Sequence, residues 1–186
     1  MRILVYLGAT TPKNPIYTEA VKALGERIAQ RGMTLVFGGS NEGTMTLLAD
    51  TVKQNGGKII GIFTEALSPE LLYPGMTETY ITENIAERKE LMLEKADAVI
   101  AMPGSFGTWD ELFNALEAAK IDKLRHRQAK PIAMLNLDGY YDGILTLLTR
   151  SVQDGYTTPR FEKLLYSANS LQELLCWLDS LASANE

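Results

Sequence analysis

Ala98-Val99-Ile100-Ala101-Met102-Pro103-Gly104-Ser105-Phe106-Gly107-Thr108-Trp109-Asp110-Glu111 is the stretch whose reading sorts this chain into a fold class. An apolar run, Ala98–Met102, stops at a Pro-Gly turn, and a helical pattern, Trp109–Lys123, follows. A run that is apolar without alternation, and too short for a helix, reads as a strand covered on both faces. The same unit recurs on both sides of it. Ile3–Leu7 precedes Gly8 and the helix Ile16–Arg31, which Gly32 closes. Thr34–Phe37 precedes Gly38-Gly39 and the helix Thr44–Gln54. Lys58–Phe63 is a strand. Residues 64–76 read as a loop with one turn of helix, and the weaker strand Glu78–Thr82 leads into the helix Ile85–Lys95. Further on come strand Ile132–Leu137, helix Tyr141–Gln153, a short strand Leu164–Ser167 and helix Leu171–Leu181.

Strands alternating with helices imply βαβ units, right-handed crossovers and an α/β fold: a doubly wound, mainly parallel sheet with helices on both faces. The 186 residues fit a single domain, 1–186, with no repeat or linker. The 46% apolar and 22% charged content is that of a folded protein. A net charge of −5 disfavours a broad nucleic-acid or anionic-membrane surface while permitting a local anion site. One Cys and one His exclude an intramolecular disulfide framework and a Cys/His zinc site. No apolar run approaches a membrane span, and the opening Arg2–Leu7 is too short for a signal sequence, so the expected setting is the cytoplasm. The basic stretch Lys120–Lys130 reads as a helix end where cations suit the dipole, His126 as a surface loop residue, and Cys176, between Leu175 and Trp177, as core.

In open α/β sheets ligands bind beyond the carboxyl ends of the strands, near the topological switch point. Three loops there are rich in glycine: Gly8-Ala9-Thr10-Thr11, Gly38-Gly39 through Met45, and Pro103–Thr108. Glycines between strand and helix let backbone N–H groups approach an anion such as a phosphate. None fits G-x-x-x-x-G-K-[ST], and the first turn lacks G-x-G-x-x-G, so neither a P-loop hydrolase nor an ordinary dinucleotide enzyme is implied. Thr108-Trp109-Asp110-Glu111 reads as a capping box, Thr108 capping and Glu111 reaching back; a Glu111 that faces the cleft beside the phosphate loop is a second reading, compatible with the first. Asp110 and Glu111 lie about 100° apart on a helix, so they are not an acid–base pair on one substrate. On the helix 85–95, Ile85, Lys89, Met92 and Ala96 fall on one stripe, placing Lys89 at its centre and Arg88 at its edge. Either these stems snorkel, or the two cations meet an anion or carboxylate in a cleft.

Together these residues resemble the Lonely Guy family, the cytokinin riboside 5′-monophosphate phosphoribohydrolases often labelled lysine decarboxylases. Pro103-Gly104-Ser105-Phe106-Gly107-Thr108-Trp109-Asp110-Glu111 is similar to P-G-G-x-G-T-x-x-E, with Ser105 in place of a glycine. Glu87-Arg88-Lys89-Glu90-Leu91-Met92 resembles x-R-K-x-x-M, and Gly38–Met45 loosely resembles G-G-G-x-x-G-x-M. Lys130-Pro131 and Leu137-Asp138-Gly139-Tyr140-Tyr141-Asp142 resemble K-P…N-V-D-G-Y-Y-D.

The resemblance implies a Rossmann-like homodimer that hydrolyses the N-glycosidic bond of a nucleoside 5′-monophosphate, with AMP-like or cytokinin-like substrates and no cofactor or metal. It assigns Arg88 and Glu111 to catalysis. Gly104, Ser105, Phe106, Gly107 and Thr108 would hold the phosphate, Lys89 and Glu70 the substrate, and Gly8 and Gly39 would lie in the flanking loops of the same site. The expected partner is a small nucleotide, with neither nucleic acid nor membrane. A carboxylate near C1′ suits an oxocarbenium-like transition state and can orient the attacking water. Three positions depart from the family: Ile85-Ala86 replaces M-H, Glu117-Ala118-Ala119-Lys120 replaces T-W-A-Q, and Ser105 fits only if that residue needs no positive φ. The alternative reading is a non-catalytic nucleotide-binding module on the same fold. Nothing marks a Schiff-base lysine with a pyridinium partner, so pyridoxal-dependent decarboxylation is not implied.

Overall fold

A computed structural model describes residues 1–183. Strands β1 (Arg2–Tyr6), β2 (Thr34–Phe37), β3 (Lys58–Thr64), β4 (Glu78–Thr82), β5 (Ala98–Ala101), β6 (Ile132–Leu135) and β7 (Leu165–Ala168) form one sheet. Their order is β4-β3-β2-β1-β5-β6-β7, and every pairing is parallel. The chain winds outward from β1 to one edge, returns, and winds to the other, so the switch point lies between β1 and β5. This is the Rossmann-like, doubly wound sheet that the alternation of strands and helices predicts.

Helices α1 (Pro15–Gln30), α2 (Gly43–Gln54), α3 (Ile85–Glu94), α4 (Phe106–Leu124), α5 (Asp142–Gln153), the short α6 (Pro159–Glu162) and α7 (Leu171–Ser183) connect and close the sheet. Side-chain alternation along β1 sorts the core into two halves. Ile3, Val5 and Leu7 pack with residues of α1, α2 and α7, such as Leu24, Leu48 and Leu178. Leu4 and Tyr6 face the other way, into a cluster with Met92 of α3 and Leu112 of α4. Burial on both faces is why these strands read as continuous apolar runs. The register carries this through the sheet: Leu4 pairs with Val36 on one side and Val99 on the other, all in the second cluster.

Local signals explain the helix ends. Asn14 caps α1 through a bond from the Ile16 amide (3.1 Å), and Pro15 supplies a preset first turn. Past its end, Gly32 takes φ 62°, which only glycine adopts without cost. In the loop after β3, Pro69–Leu71 forms one 3-10 turn, as the sequence predicts. The Leu137–Gly139 turn and α6 do not appear in the sequence reading.

Three expectations need correction. Helix α4 starts at Phe106, three residues before Trp109, so Phe106, Gly107 and Thr108 are its first turn rather than a loop. Ser105 therefore holds the N-cap position, and Thr108 caps nothing. Cys176 is exposed, because α7 turns Leu174, Leu175 and Leu178 inward and leaves position 176 outside. Among the described residues, no helix is long and apolar enough to cross a membrane.

Candidate active site

The loops after β1 and β5 meet at the switch point. A Cβ placed on Gly8 would touch Gly104 Cα at 3.5 Å. The Thr44 hydroxyl donates to Gly8 O (2.5 Å), fixing the start of α2 against the first loop. Gly43, at φ 49°, has no room for a side chain: its Cβ would lie 2.4 Å from Ala9 O. The cleft between these loops encloses about 190 Å³, and its walls include Gly8, Thr10, Tyr17, Gly104, Ser105 and Tyr140.

The floor of the β5 loop is held from behind by adjacent tyrosines. Tyr141 donates its hydroxyl to Met102 O (2.6 Å), and Tyr140 donates to Gly104 O. Gly104 itself is packed on Thr108, whose Oγ1 would lie 2.1 Å from an added Cβ. Ser105 sits at φ −119°, extended backbone open to any residue, so the serine in place of the family's glycine is tolerated. Its side chain makes no capping bond. The first-turn amides of α4 (Phe106, Gly107, Thr108) are those a helix leaves without internal acceptors. Amides so placed, at the positive end of the helix dipole, favour an anion beside the cleft.

Further along α4, Glu111 does not reach back to its own N-terminus. It accepts from Arg88 NH1 of α3 at 3.3 Å, and both side chains are nearly buried (10% and 12% exposed). The capping-box reading of Thr108–Glu111 is thus replaced by an interhelical ion pair. Arg88 also donates from Nε to Ile62 O and from NH2 to Gly38 O, each at 2.9 Å. It therefore ties the ends of β2 and β3 to α4. Gly38 is required for this: a Cβ there would stand 1.9 Å from Arg88 NH2. Three of the five guanidinium N–H donors are used, which leaves two without a partner among the described residues.

Arg88 and Met92, not Lys89, form the buried face of α3. Ile85, read as part of the central stripe, is 40% exposed. Lys89 lies to the side and pairs with Asp110 at 2.9 Å, so Asp110 and Glu111 serve different partners, as their helical angle requires.

Burial pushes the Glu111 carboxyl up to about 7; Arg88 opposes the shift, Asp110 adds to it and Lys89 opposes it. Desolvation wins because one imperfectly aligned guanidinium does not replace the water a carboxylate loses. A carboxyl poised near neutrality is suited to accept a proton from water.

Gly8, Gly104 and Ser105 come together in the cleft, and Phe106, Gly107 and Thr108 form the helix start beside it. Arg88, Lys89 and Glu111 form a second group under two turns along α4. Gly39, at φ 72°, joins them through the loop that Arg88 holds and accepts from the Tyr73 amide at 2.9 Å. Glu70 is exposed on the Pro69–Leu71 turn; its carboxylate accepts from Ser68 rather than from either group. The turn is tied to the second glycine loop by Asn41 N donating to Leu71 O (2.6 Å). Sequence reasoning read Gly38 and Thr44 only as part of the second glycine loop, and gave no role to Tyr6, Tyr140 or Tyr141. Only the D-G-Y-Y-D resemblance signalled the last two.

Comparisons with known proteins place the chain among related sequences and folds. The family model described as "Possible lysine decarboxylase" matches residues 45–178. Cytokinin riboside 5′-monophosphate phosphoribohydrolase LOG7 of Arabidopsis thaliana is 34% identical over 96% of this chain and 81% of its own length. The probable cytokinin riboside 5′-monophosphate phosphoribohydrolase LOGL5 of Oryza sativa subsp. japonica is 32% identical over 96% of this chain and 71% of its own. Among solved structures, the molybdenum cofactor binding protein from Rippkaea orientalis has the same fold, with a TM-score of 0.70, 23% identity, and coverage of 97% of this chain and 96% of that one. Motif order, fold and near full-length similarity converge: the chain belongs to the Lonely Guy family, the one whose model carries the lysine decarboxylase description.

Proposed function

We propose that this protein hydrolyses the N-glycosidic bond of a nucleoside 5′-monophosphate, an AMP-like or cytokinin riboside monophosphate, to free base and ribose 5-phosphate. The observation that carries the reading is the buried Arg88–Glu111 pair, whose carboxylate lies on the same helix, α4, whose uncapped start borders the glycine cleft. From Ser105 to Glu111 the helix rises about 9 Å, a separation that a ribose 5-phosphate bridges. The activity named for the rice and Arabidopsis relatives supports the same reaction.

In this reading the first-turn amides of α4, with Gly104 and Ser105, receive the phosphate. Gly8 and Gly39 keep side chains out of its way, and Phe106 flanks it. Glu111 faces C1′. As the C1′–N bond breaks, the base leaves with the electron pair and takes up a proton from solvent water, and the ionised carboxylate offsets the positive charge growing on the ribose. Glu111 then takes a proton from the water that adds to C1′. Arg88 holds the carboxylate in place before the reaction starts, and its two remaining N–H groups face the sugar. Lys89 exchanges Asp110 for substrate, and Glu70 contacts the ligand from the rim. The chemistry draws on water alone.

The partner we infer is a second copy of this chain. Phe106, Phe113 and Leu147 are exposed apolar side chains on α4 and α5, beside a groove that includes Trp109, Tyr141 and Ile144. Sedimentation should give twice the chain mass; a monomer refutes the dimer. Activity is tested by incubating the protein with a panel of nucleoside monophosphates and separating the products by chromatography. Base release, with ribose 5-phosphate in equal amount, is expected from at least one. Binding of a monophosphate without base release from any refutes hydrolysis in favour of a binding module.

A further inference from the structure

Tyr6 ends β1 with its ring on the α3–α4 face of the sheet, in the cluster that holds Val36, Ile62, Met92 and Leu112. Met92 is one turn beyond Arg88, and Leu112 follows Glu111, so the ring lies under the two turns that present the ion pair. Tyr6 is 1% exposed, and its buried hydroxyl has no hydrogen-bond partner among the described residues. The other two deeply set phenols differ: Tyr141 donates to Met102 O and Tyr73 to Asp50 Oδ1. An unpartnered buried hydroxyl is less favourable than the phenylalanine that would fill the same space. Glu111 uses only Oε1 on Arg88; no described residue bonds its Oε2.

We propose that Tyr6 is a positioning residue whose hydroxyl donates to the Glu111 carboxylate once that group is ionised and turned toward the ribose. This rests on the hydrolase reading above for its purpose, but not for its contact. Burial, then the Glu111 charge, hold the Tyr6 phenol far above its ordinary range, so it remains a donor at any working pH; Arg88 opposes and Asp110 adds to the effect. Arg88 and Lys89 of α3 favour the charge on Glu111, Asp110 of α4 opposes it, and β1 contributes Tyr6. The ends of β2 and β3 present the carbonyls of Gly38 and Ile62, both engaged by Arg88. A hydrogen bond given to the ionised form steadies the carboxylate at C1′ while water adds and the base departs.

Tyr6→Phe tests this, because it keeps the ring and removes only the hydroxyl. The protein should fold, with an unchanged or higher melting temperature. The Glu111 carboxyl carbon is followed by NMR titration and assigned with Glu111→Gln. Its midpoint should rise by about one pH unit in Tyr6→Phe, the scale of one lost bond to a charged group. Turnover should fall by roughly tenfold with little change in KM. A midpoint that does not move overturns the proposal, whatever happens to turnover, since a purely packing role leaves the titration untouched. The titration needs no catalysis. A shifted midpoint in a protein that releases no base keeps the contact and refutes the hydrolase reading instead.

Discussion

The starts of α3 and α4 carry similar local sequences and use them in opposite ways. At α3, Asn84 accepts from the Glu87 amide at 3.0 Å, and Glu87 reaches back to the Glu83 amide at 3.2 Å. That helix closes its own N-terminus. At α4, Ser105 makes no capping bond, Thr108 is buried against Gly104, and Glu111 turns away to Arg88. Each helix contributes one member of the buried ion pair within its first two turns, but only α4 leaves its amides open beside a cleft. A polar residue followed three positions later by glutamate therefore does not fix that glutamate's role. Whether a cation stands nearby decides whether it caps or serves a site. Here Arg88 is held in place by carbonyls of two other strands.

Glu111→Gln breaks the comparison most severely. The amide retains size and can still accept from Arg88, but it cannot take up a proton from water or balance charge on the ribose. Base release should fall by about a thousandfold, within the range for a general base. Folding should not suffer. The Glu111 midpoint of about 7 lies above its ordinary 4.5, so the native state holds an extra proton between these values. Stability from this group is thus fully present below about pH 4.5 and falls as pH rises toward 7. Above that it costs about 3 kcal/mol. Thermal melts should therefore show the variant close to the unmodified protein at pH 5 and more stable at pH 8. In the unmodified protein, base release should rise with pH through about 7. Full activity in the variant refutes the assigned role.

Gly38→Ala acts on the α3 side and should have the next largest effect. The added methyl displaces Arg88 NH2 from Gly38 O, while no charge is removed. Turnover should drop by about a hundredfold, the scale of a small displacement of aligned groups. Stability should fall by only about 1–2 kcal/mol, for one disrupted hydrogen bond. Steady-state kinetics and chemical denaturation separate the two. A large stability loss with normal turnover means that Arg88 is a strand-end clamp and not part of the active site.

The contrast between the two helix starts also marks what was legible in the sequence. Continuous apolar runs have one outlet in a chain this size, a sheet covered on both faces. Thr34–Phe37 accordingly matches the observed strand residue for residue, and Glu78–Thr82, a polar and largely exposed edge strand, is matched without that signal. The start of α4 was misplaced because Phe106 and Gly107 look like loop, although a first helical turn accepts them. On α3 the periodicity pointed to Lys89, but the burial of Arg88 is set by carbonyls 26 and 50 residues away in sequence, which no local pattern records. Tyr6 read as one more apolar strand position, and only packing shows its hydroxyl buried without a partner among the described residues. The motif resemblance gathered Arg88, Glu111 and the glycine loops without geometry; what the paired tyrosines hold, and why position 38 must be glycine, emerge from contacts.

The smallest effect tests the comparison at its root. Asn84→Ala removes a cap that is in use, so it should cost about 1 kcal/mol and lower the melting temperature by about 2–4 °C. Ser105→Ala removes a hydroxyl that caps nothing and should leave the melting temperature unchanged. Ribose 5-phosphate, binding the folded state at α4, should raise the melting temperature of the unmodified and Asn84→Ala proteins by the same increment. If Ser105→Ala proves as destabilising as Asn84→Ala, α4 closes its own N-terminus after all. The open amides on which phosphate binding depends would then already be occupied by the chain.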